Sequence, residues 1–196
     1  MKKQTFAYGI GIFVLALVMV ALQAVAETSA AETTPPPPQL TLQSAAYNHE
    51  TAMPARFTCE GEDVSPPLSW LNVPEKTQSL ALIIDDPDAP DPAKPTKTVV
   101  HWVVYNIPPS VNKLDEGIKK LPEGAVAGAN DMGNAGYKGP CPPIGEHRYF
   151  HKLFALDTVL KLPEKADKAK LLEAMEGHTL AQTVLIGKYQ KVKPSK

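Results

Sequence analysis

The chain has 196 residues, 20 Lys+Arg against 21 Asp+Glu for a formal net charge of −1, and 43% hydrophobic residues. That length suits one domain with a real core; the balanced charge excludes a generic nucleic-acid binder, which would be strongly basic, and the apolar share excludes wholesale disorder. The 20 prolines are about twice the usual ~5% share and argue against a helix bundle, because proline removes a helix hydrogen bond.

Residues 1–26 read as an export leader. Lys2 and Lys3 form a positive start, Phe6 to Leu22 carries no charge, and Ala24-Val25-Ala26 is a small-x-small cleavage site, so the cut is expected before Glu27. An uncleaved anchor is the competing reading, since the apolar run approaches the ~17–20 residues of a membrane span. No basic stop-transfer flank follows, which favours cleavage. Residues 27–38, ETSAAETTPPPP, read as a linker ending in a short polyproline II spacer. The folded domain is expected over 39–196, in a periplasmic or secreted protein.

Two cysteines in an exported chain matter because thiols pair in oxidising compartments. Cys59 and Cys141 permit one intramolecular bridge, worth about 4 kcal/mol in the chain-entropy model. Two separate buried thiols are the alternative.

Strand signals dominate the domain. Leu40–Ser44 alternates apolar and polar residues. Ser79–Ile84 is a short apolar run that stops at Asp85-Asp86-Pro87, and Val99–Ile107 is the strongest strand pattern, stopped by Pro108-Pro109. Tyr149–Leu156 is aromatic-rich. Glu164–Glu176 follows Pro163, is rich in Ala, Leu, Lys and Glu, and ends before Gly177, which predicts a helix. Thr179–Gln190 fits either a helix or a strand. Seven glycines lie between residues 117 and 145, in a long loop of the kind that is functional or disordered. Short strands with long connections predict a mainly β protein, an antiparallel sandwich with one or two peripheral helices.

No P-loop, dinucleotide fingerprint, zincin motif or nucleophile elbow is present. The polar residues that remain sit at expected strand ends. Asp86-Pro87-Asp88-Ala89-Pro90 reads as a rigid turn fixing two carboxylates, or as a plain solvated acidic turn. Simple alternation places His101, Val103 and Tyr105 on one strand face and Trp102 and Val104 on the other; a histidine there is more often a satisfied boundary residue than a ligand-binding one. His147-Arg148-Tyr149 opens the next strand.

Taken together, six segments resemble the phosphatidylethanolamine-binding protein family, in its bacterial and archaeal Raf-kinase-inhibitor-like branch. They are Phe57-Thr58-Cys59-Glu60-Gly61, Ser65-Pro66-Pro67-Leu68-Ser69-Trp70, Asp86-Pro87-Asp88-Ala89-Pro90, the stretch from His101-Trp102 to Ile107-Pro108, Gly139-Pro140-Cys141-Pro142-Pro143 and His147-Arg148-Tyr149. The resemblance covers about residues 40–190. It implies a β-sandwich with a small anion pocket at one end of the large sheet. Asp86, His101, His147 and Tyr149 would line the pocket, with Pro143 and the Cys141 backbone from the preceding loop. Asp88 would hold its turn or orient a neighbour, and Arg148 would make a structural ion pair. The stretch Asp91–Thr98 departs from the family pattern: Val99 and Val100 stand where an aromatic is expected before His101.

A carboxylate beside an imidazole raises its pKa, and an imidazolium attracts phosphate. The expected function is therefore non-enzymatic binding of a small anion, phosphorylated compound or phospholipid headgroup, with no cofactor and no metal. Inhibition of a serine protease or protein kinase is the alternative, through an exposed segment such as 91–98. Hydrolysis by an Asp86–His101 acid–base pair is a third reading.

Overall fold

The computed structural model describes residues 39–192. The leader and linker, residues 1–38, lie outside the described residues. No helix among the described residues is long and apolar enough to cross a membrane.

Two sheets enclose the main core. The smaller contains β1 (Thr41–Gln43), β3 (Leu68–Leu71) and β6 (Lys113–Leu114), in the order β1-β3-β6. The larger contains β2 (Thr51–Ala52), β4 (Ser79–Ala89), β5 (Lys97–Ile107), β7 (Val126–Ala127), β8 (Glu146–Leu156) and β9 (Thr179–Gln190), in the order β2-β9-β8-β4-β5-β7. All pairings are antiparallel except the short β2–β9 contact, which is parallel. The segment 179–190, ambiguous in sequence, is thus a full strand paired along β8.

The sandwich is mainly β because the chain supplies two apolar faces. Leu42, Trp70, Leu82, Trp102, Leu153 and Leu185 fill the space between the sheets. Ala81, Ile83, Val103 and Phe154 face the other way, under Leu171 and Met175 of the one α-helix among the described residues, α1 (Lys168–Met175). Strand β4 lies between β8 and β5 and is buried on both faces, which is why its apolar run is continuous rather than alternating. The helix is shorter than its sequence pattern. Lys165 takes a left-handed φ of 56°, which no helix interior accommodates, and Asp167 caps the first turn by accepting from the Lys170 N–H at 2.9 Å. A 3₁₀ turn, Ala55–Phe57, leads into the Cys59 segment.

Two irregularities in β4–β5 pairing carry the architecture toward function. Ile84 pairs with Trp102, but the next residue, Asp85, pairs with Val100. Strand β5 therefore holds one extra residue, His101, in a bulge. The bulge overrides simple alternation: Val103 and Tyr105 join the helix-side core, whereas His101 packs edge-on against Tyr149, with ring centroids 5.3 Å apart. The expected face-sharing of His101 with Val103 and Tyr105 is thereby corrected. Further along, Asp86 pairs with Val99 and Ala89 with Lys97, so β4 carries its own extra residue there. The segment 86–89, expected as a turn beyond the strand, instead belongs to β4, and Pro87 is tolerated because it falls at the irregularity.

Candidate functional site

Strand β8 begins with an alternation of histidine and tyrosine. His147, Tyr149 and His151 point to the inter-sheet side, each with at most 1% of its surface exposed. His151 lies deepest and is a core residue: its Nε2 meets the Tyr47 hydroxyl at 2.9 Å and its Nδ1 the Tyr149 carbonyl at 3.1 Å. Burial pushes its pKa down to about 4. His147 and Tyr149 sit nearer the sheet end, where β4 brings Asp86 and the β5 bulge brings His101.

The Gly/Pro-rich loop closes this end. The Lys138 N–H donates to the His101 carbonyl at 3.0 Å, and His101 Nδ1 donates back to the Lys138 carbonyl at 2.7 Å. Asp63 anchors the same loop, accepting from the Gly139 N–H at 2.7 Å and pairing with Lys138 Nζ. Gly139 has to be glycine, because a Cβ there would lie 2.4 Å from the Phe57 carbonyl oxygen and 2.9 Å from Thr58 Cα. The Cys59–Cys141 disulfide, with Cα atoms 5.4 Å apart, ties the loop to the 3₁₀ turn. The alternative of two separate thiols is excluded by this bond.

Between these elements is a cavity of about 260 Å³. Asp86, His101, Cys141, Pro143, His147 and Tyr149 all line it. Ala89, Pro90, Lys97, Val99, Met132, Lys138, Gly139 and Pro142 complete the wall. Sequence reasoning did not single out Lys97 or Lys138 as lining residues, nor Asp63 behind them. Lys97 belongs to the stretch that departs from the family pattern, which was the available signal; nothing in the sequence pointed to Asp63.

Hydrogen-bond accounting sets the chemistry. His147 Nε2 lies 3.0 Å from the Ile144 carbonyl, which can only accept, so Nε2 carries hydrogen. Its Nδ1 lies 2.7 Å from Asp86 Oδ2. One proton sits in that contact, on the nitrogen or on the carboxyl, and in both cases the pair is neutral overall. Asp86 Oδ1 accepts from the Asp88 N–H at 2.8 Å. Asp88 itself points away, gripped by Arg148 through Nε and the backbone N–H, both at 2.9 Å, and Nη2 at 2.7 Å. That guanidinium holds the Asp88 carboxyl below its ordinary range.

His101 departs from expectation. Burial lowers its pKa, outweighing the Lys138 carbonyl hydrogen bond and the nearby carboxylates. The ring is neutral, with its proton on Nδ1. Its Nε2, an acceptor, is buried without a partner, and so is the hydroxyl of Tyr149. Burial raises the Tyr149 pKa, so this hydroxyl keeps its proton. Among the described residues no cluster of three or more His, Cys, Asp or Glu is placed to hold a metal.

A cavity of this build at one end of a two-sheet β fold defines a class. Residues 43–190 match the family model for phosphatidylethanolamine-binding protein, and the chain belongs to that family. Within it, the chain falls in the bacterial and archaeal UPF0098 branch that includes proteins like YbcL. A UPF0098 protein of Methanothermobacter thermautotrophicus is 52% identical over 155 residues, spanning 78% of this chain and 99% of that relative. The crystal structure of a phosphatidylethanolamine-binding protein homologue from Chlamydia trachomatis superposes with a TM-score of 0.73 at 42% identity, covering 79% of this chain and 99% of that one. Escherichia coli YbcL, described as a new member of the mammalian family, gives a TM-score of 0.71 at 32% identity over 79% of this chain and all of its own.

Proposed function

We propose that the protein is an exported, non-enzymatic binder of a small anion, with a phosphate-bearing compound as the ligand class. The observation that carries this reading is the pair of unpartnered buried atoms, His101 Nε2 and Tyr149 Oη, on two side chains lining one cavity. A buried polar atom left without a partner costs about 1–3 kcal/mol, so two of them beside a cavity favour a polar guest. The neutral Asp86–His147 pair removes the repulsion that a free carboxylate would exert on an anion. Family membership supports the same ligand class, and the leader pattern with the Cys59–Cys141 bridge supports a periplasmic or secreted location.

Hydrolysis by Asp86 and His101 is disfavoured. Asp86 is hydrogen-bonded to His147 and Asp88 rather than to His101. The test is a thermal-shift titration with inorganic phosphate, methyl phosphate and phosphoethanolamine, run beside an assay for released phosphate. Rising melting temperature with ligand concentration and no release is the expected result. Absence of any shift would reject the binding reading, and release of phosphate would reject the non-enzymatic one.

A further inference from the structure

The groups lining the cavity have charges that can be counted. Asp86 and His147 are neutral as a pair. Lys138 is matched by Asp63. His101 is neutral, with Nδ1 committed to the Lys138 carbonyl. Lys97, exposed at the mouth, makes no salt bridge among the described residues. The lining thus has one uncompensated positive charge, carried by Lys97, one unpartnered acceptor, His101 Nε2, and one unpartnered hydroxyl, Tyr149.

An acceptor in an anion pocket is an unusual feature. A fully ionised oxyanion has only lone pairs to offer and would be repelled by the Nε2 lone pair. A ligand satisfies both atoms when it accepts from the Tyr149 hydroxyl and donates an O–H to His101. We propose that the pocket selects a singly charged phosphoryl group that still carries a proton, its P–OH donating to His101 Nε2, an unprotonated oxygen accepting from Tyr149, and Lys97 supplying the counter-charge. This inference rests on the anion-binding reading above and specifies the protonation state and ester class of the ligand. A monoester carries such a proton below its second pKa of about 6. An intact phospholipid phosphate is a diester and carries none.

The groups facing His101 are consistent with a neutral ring. Asp86 and Asp85 approach from β4, Asp131 and Lys138 from the loop, and Tyr149, His147 and His151 from β8. Asp85 is paired with Lys152 and Lys168 on the far face of the sheet, and Asp131 accepts from the Val100 N–H. Burial prevails over these carboxylates in setting the His101 charge.

The experiment is calorimetric titration at about pH 6.5 and about pH 8.5, both at or above the ordinary imidazole value so that His101, with its lowered pKa, stays neutral, with methyl phosphate, inorganic phosphate, dimethyl phosphate and sulfate. Methyl phosphate should weaken by at least about tenfold at the higher pH, because its monoanion is nearly gone there. Inorganic phosphate should weaken less, since its dianion keeps one P–OH, and binding of both shows that an ester substituent is tolerated. Sulfate and dimethyl phosphate, which have no proton to give, should bind weakly at both values. Sulfate binding as tightly as methyl phosphate at the lower pH would overturn the proton-donor requirement while leaving the anion site standing. Dimethyl phosphate binding equal to methyl phosphate would overturn the choice of monoester. Failure of every phosphate compound to bind would reject the anion site itself. Lys97→Met should weaken methyl phosphate and inorganic phosphate alike without changing the pH slope; unchanged affinity would remove Lys97 from the site.

Discussion

Asp86 Oδ2 and His147 Nδ1 lie 2.7 Å apart in a place where neither residue exposes more than 3% of its surface. With His147 Nε2 occupied by the Ile144 carbonyl, this contact uses up the donors of the imidazole. The pair is a neutral, fully bonded wall of the cavity, and its members do not stand free to act on a ligand.

The first prediction follows from that bonding. In Asp86→Asn, the amide oxygen can still accept from the Asp88 N–H while the amide nitrogen donates to His147 Nδ1. Stability should change by less than about 1 kcal/mol, as for a hydrogen bond replaced by another. Asp86→Ala leaves His147 Nδ1 buried without a partner and should cost about 2–3 kcal/mol. Urea denaturation of both variants checks this; equal losses would show that the charge of Asp86, rather than its bonding, holds the site.

A second prediction concerns acid. His151 titrates near 6.5 when unfolded and at about 4 in the fold, where burial disfavours its charge. Between those values the unfolded chain binds the extra proton, so stability rises with pH across the window and is lost as pH falls from about 6.5 toward 4. The depressed His101 contributes in the same direction. The His151 share is about 3 kcal/mol, from the two values and 1.36 kcal/mol for each unit. Asp88, held low by Arg148, adds its own loss only at still lower pH, below the ordinary carboxylate range. Denaturant melts at several pH values should show this slope, and His151→Gln should flatten it. A slope unchanged in that variant would assign the effect elsewhere.

Most of the fold was legible because it rests on local patterns. The apolar runs at 79–84, 99–107 and 149–156 are long enough to announce strands, and the Ala-, Leu-, Lys- and Glu-rich stretch between Pro163 and Gly177 announces α1. What was not legible comes from pairing between strands. The extra residue at His101 exists only relative to β4, so sequence alternation alone assigned that side chain to the helix side. The left-handed backbone at Lys165 shortens α1 without a glycine to mark it. The site residues were visible as a family-like set, and the three that adjust its charge were not. Asp63 and Lys138 meet across 75 positions in sequence, and Lys97 reaches the cavity only because β5 starts early enough to pair with Ala89.

Gly139 gives a third prediction. The Phe57 carbonyl and Thr58 Cα are backbone atoms and cannot swing away from an added methyl group. Gly139→Ala should therefore shift the 138–139 loop and cost about 2 kcal/mol or more, in the range of overpacked positions. Because Lys138 holds His101 Nδ1, anion affinity should fall as well. Gly133→Ala is the control: its φ of 78° is strained for alanine, but nothing lies within 4 Å of the new atom. Its cost should be about 1 kcal/mol, with affinity unchanged. A Gly139→Ala protein that binds and melts like wild type would show that the loop relaxes freely.

The disulfide gives the last prediction, because it joins stability to the cavity. Cys59 and Cys141 are 82 positions apart, and closing a loop of that length restricts the unfolded chain by about 4 kcal/mol. Cys141 also lines the cavity, next to Pro142 and Pro143. The neighbouring Cys59 N–H donates to the Pro140 carbonyl at 3.0 Å, and Asp63 holds Gly139 on the same side. These contacts keep the loop near its place when the S–S bond is absent, so the two consequences of reduction should separate. Cys59→Ser with Cys141→Ser should lose most of the 4 kcal/mol in a denaturant melt, yet at temperatures well below the new transition its affinity for phosphate should fall by no more than about threefold, on the order of half a hydrogen bond. Thiol counting on the denatured wild-type protein should find none free. Loss of binding in a double variant that is still folded would mean that the covalent bond, and not the Asp63 and Cys59 contacts, shapes the wall of the site.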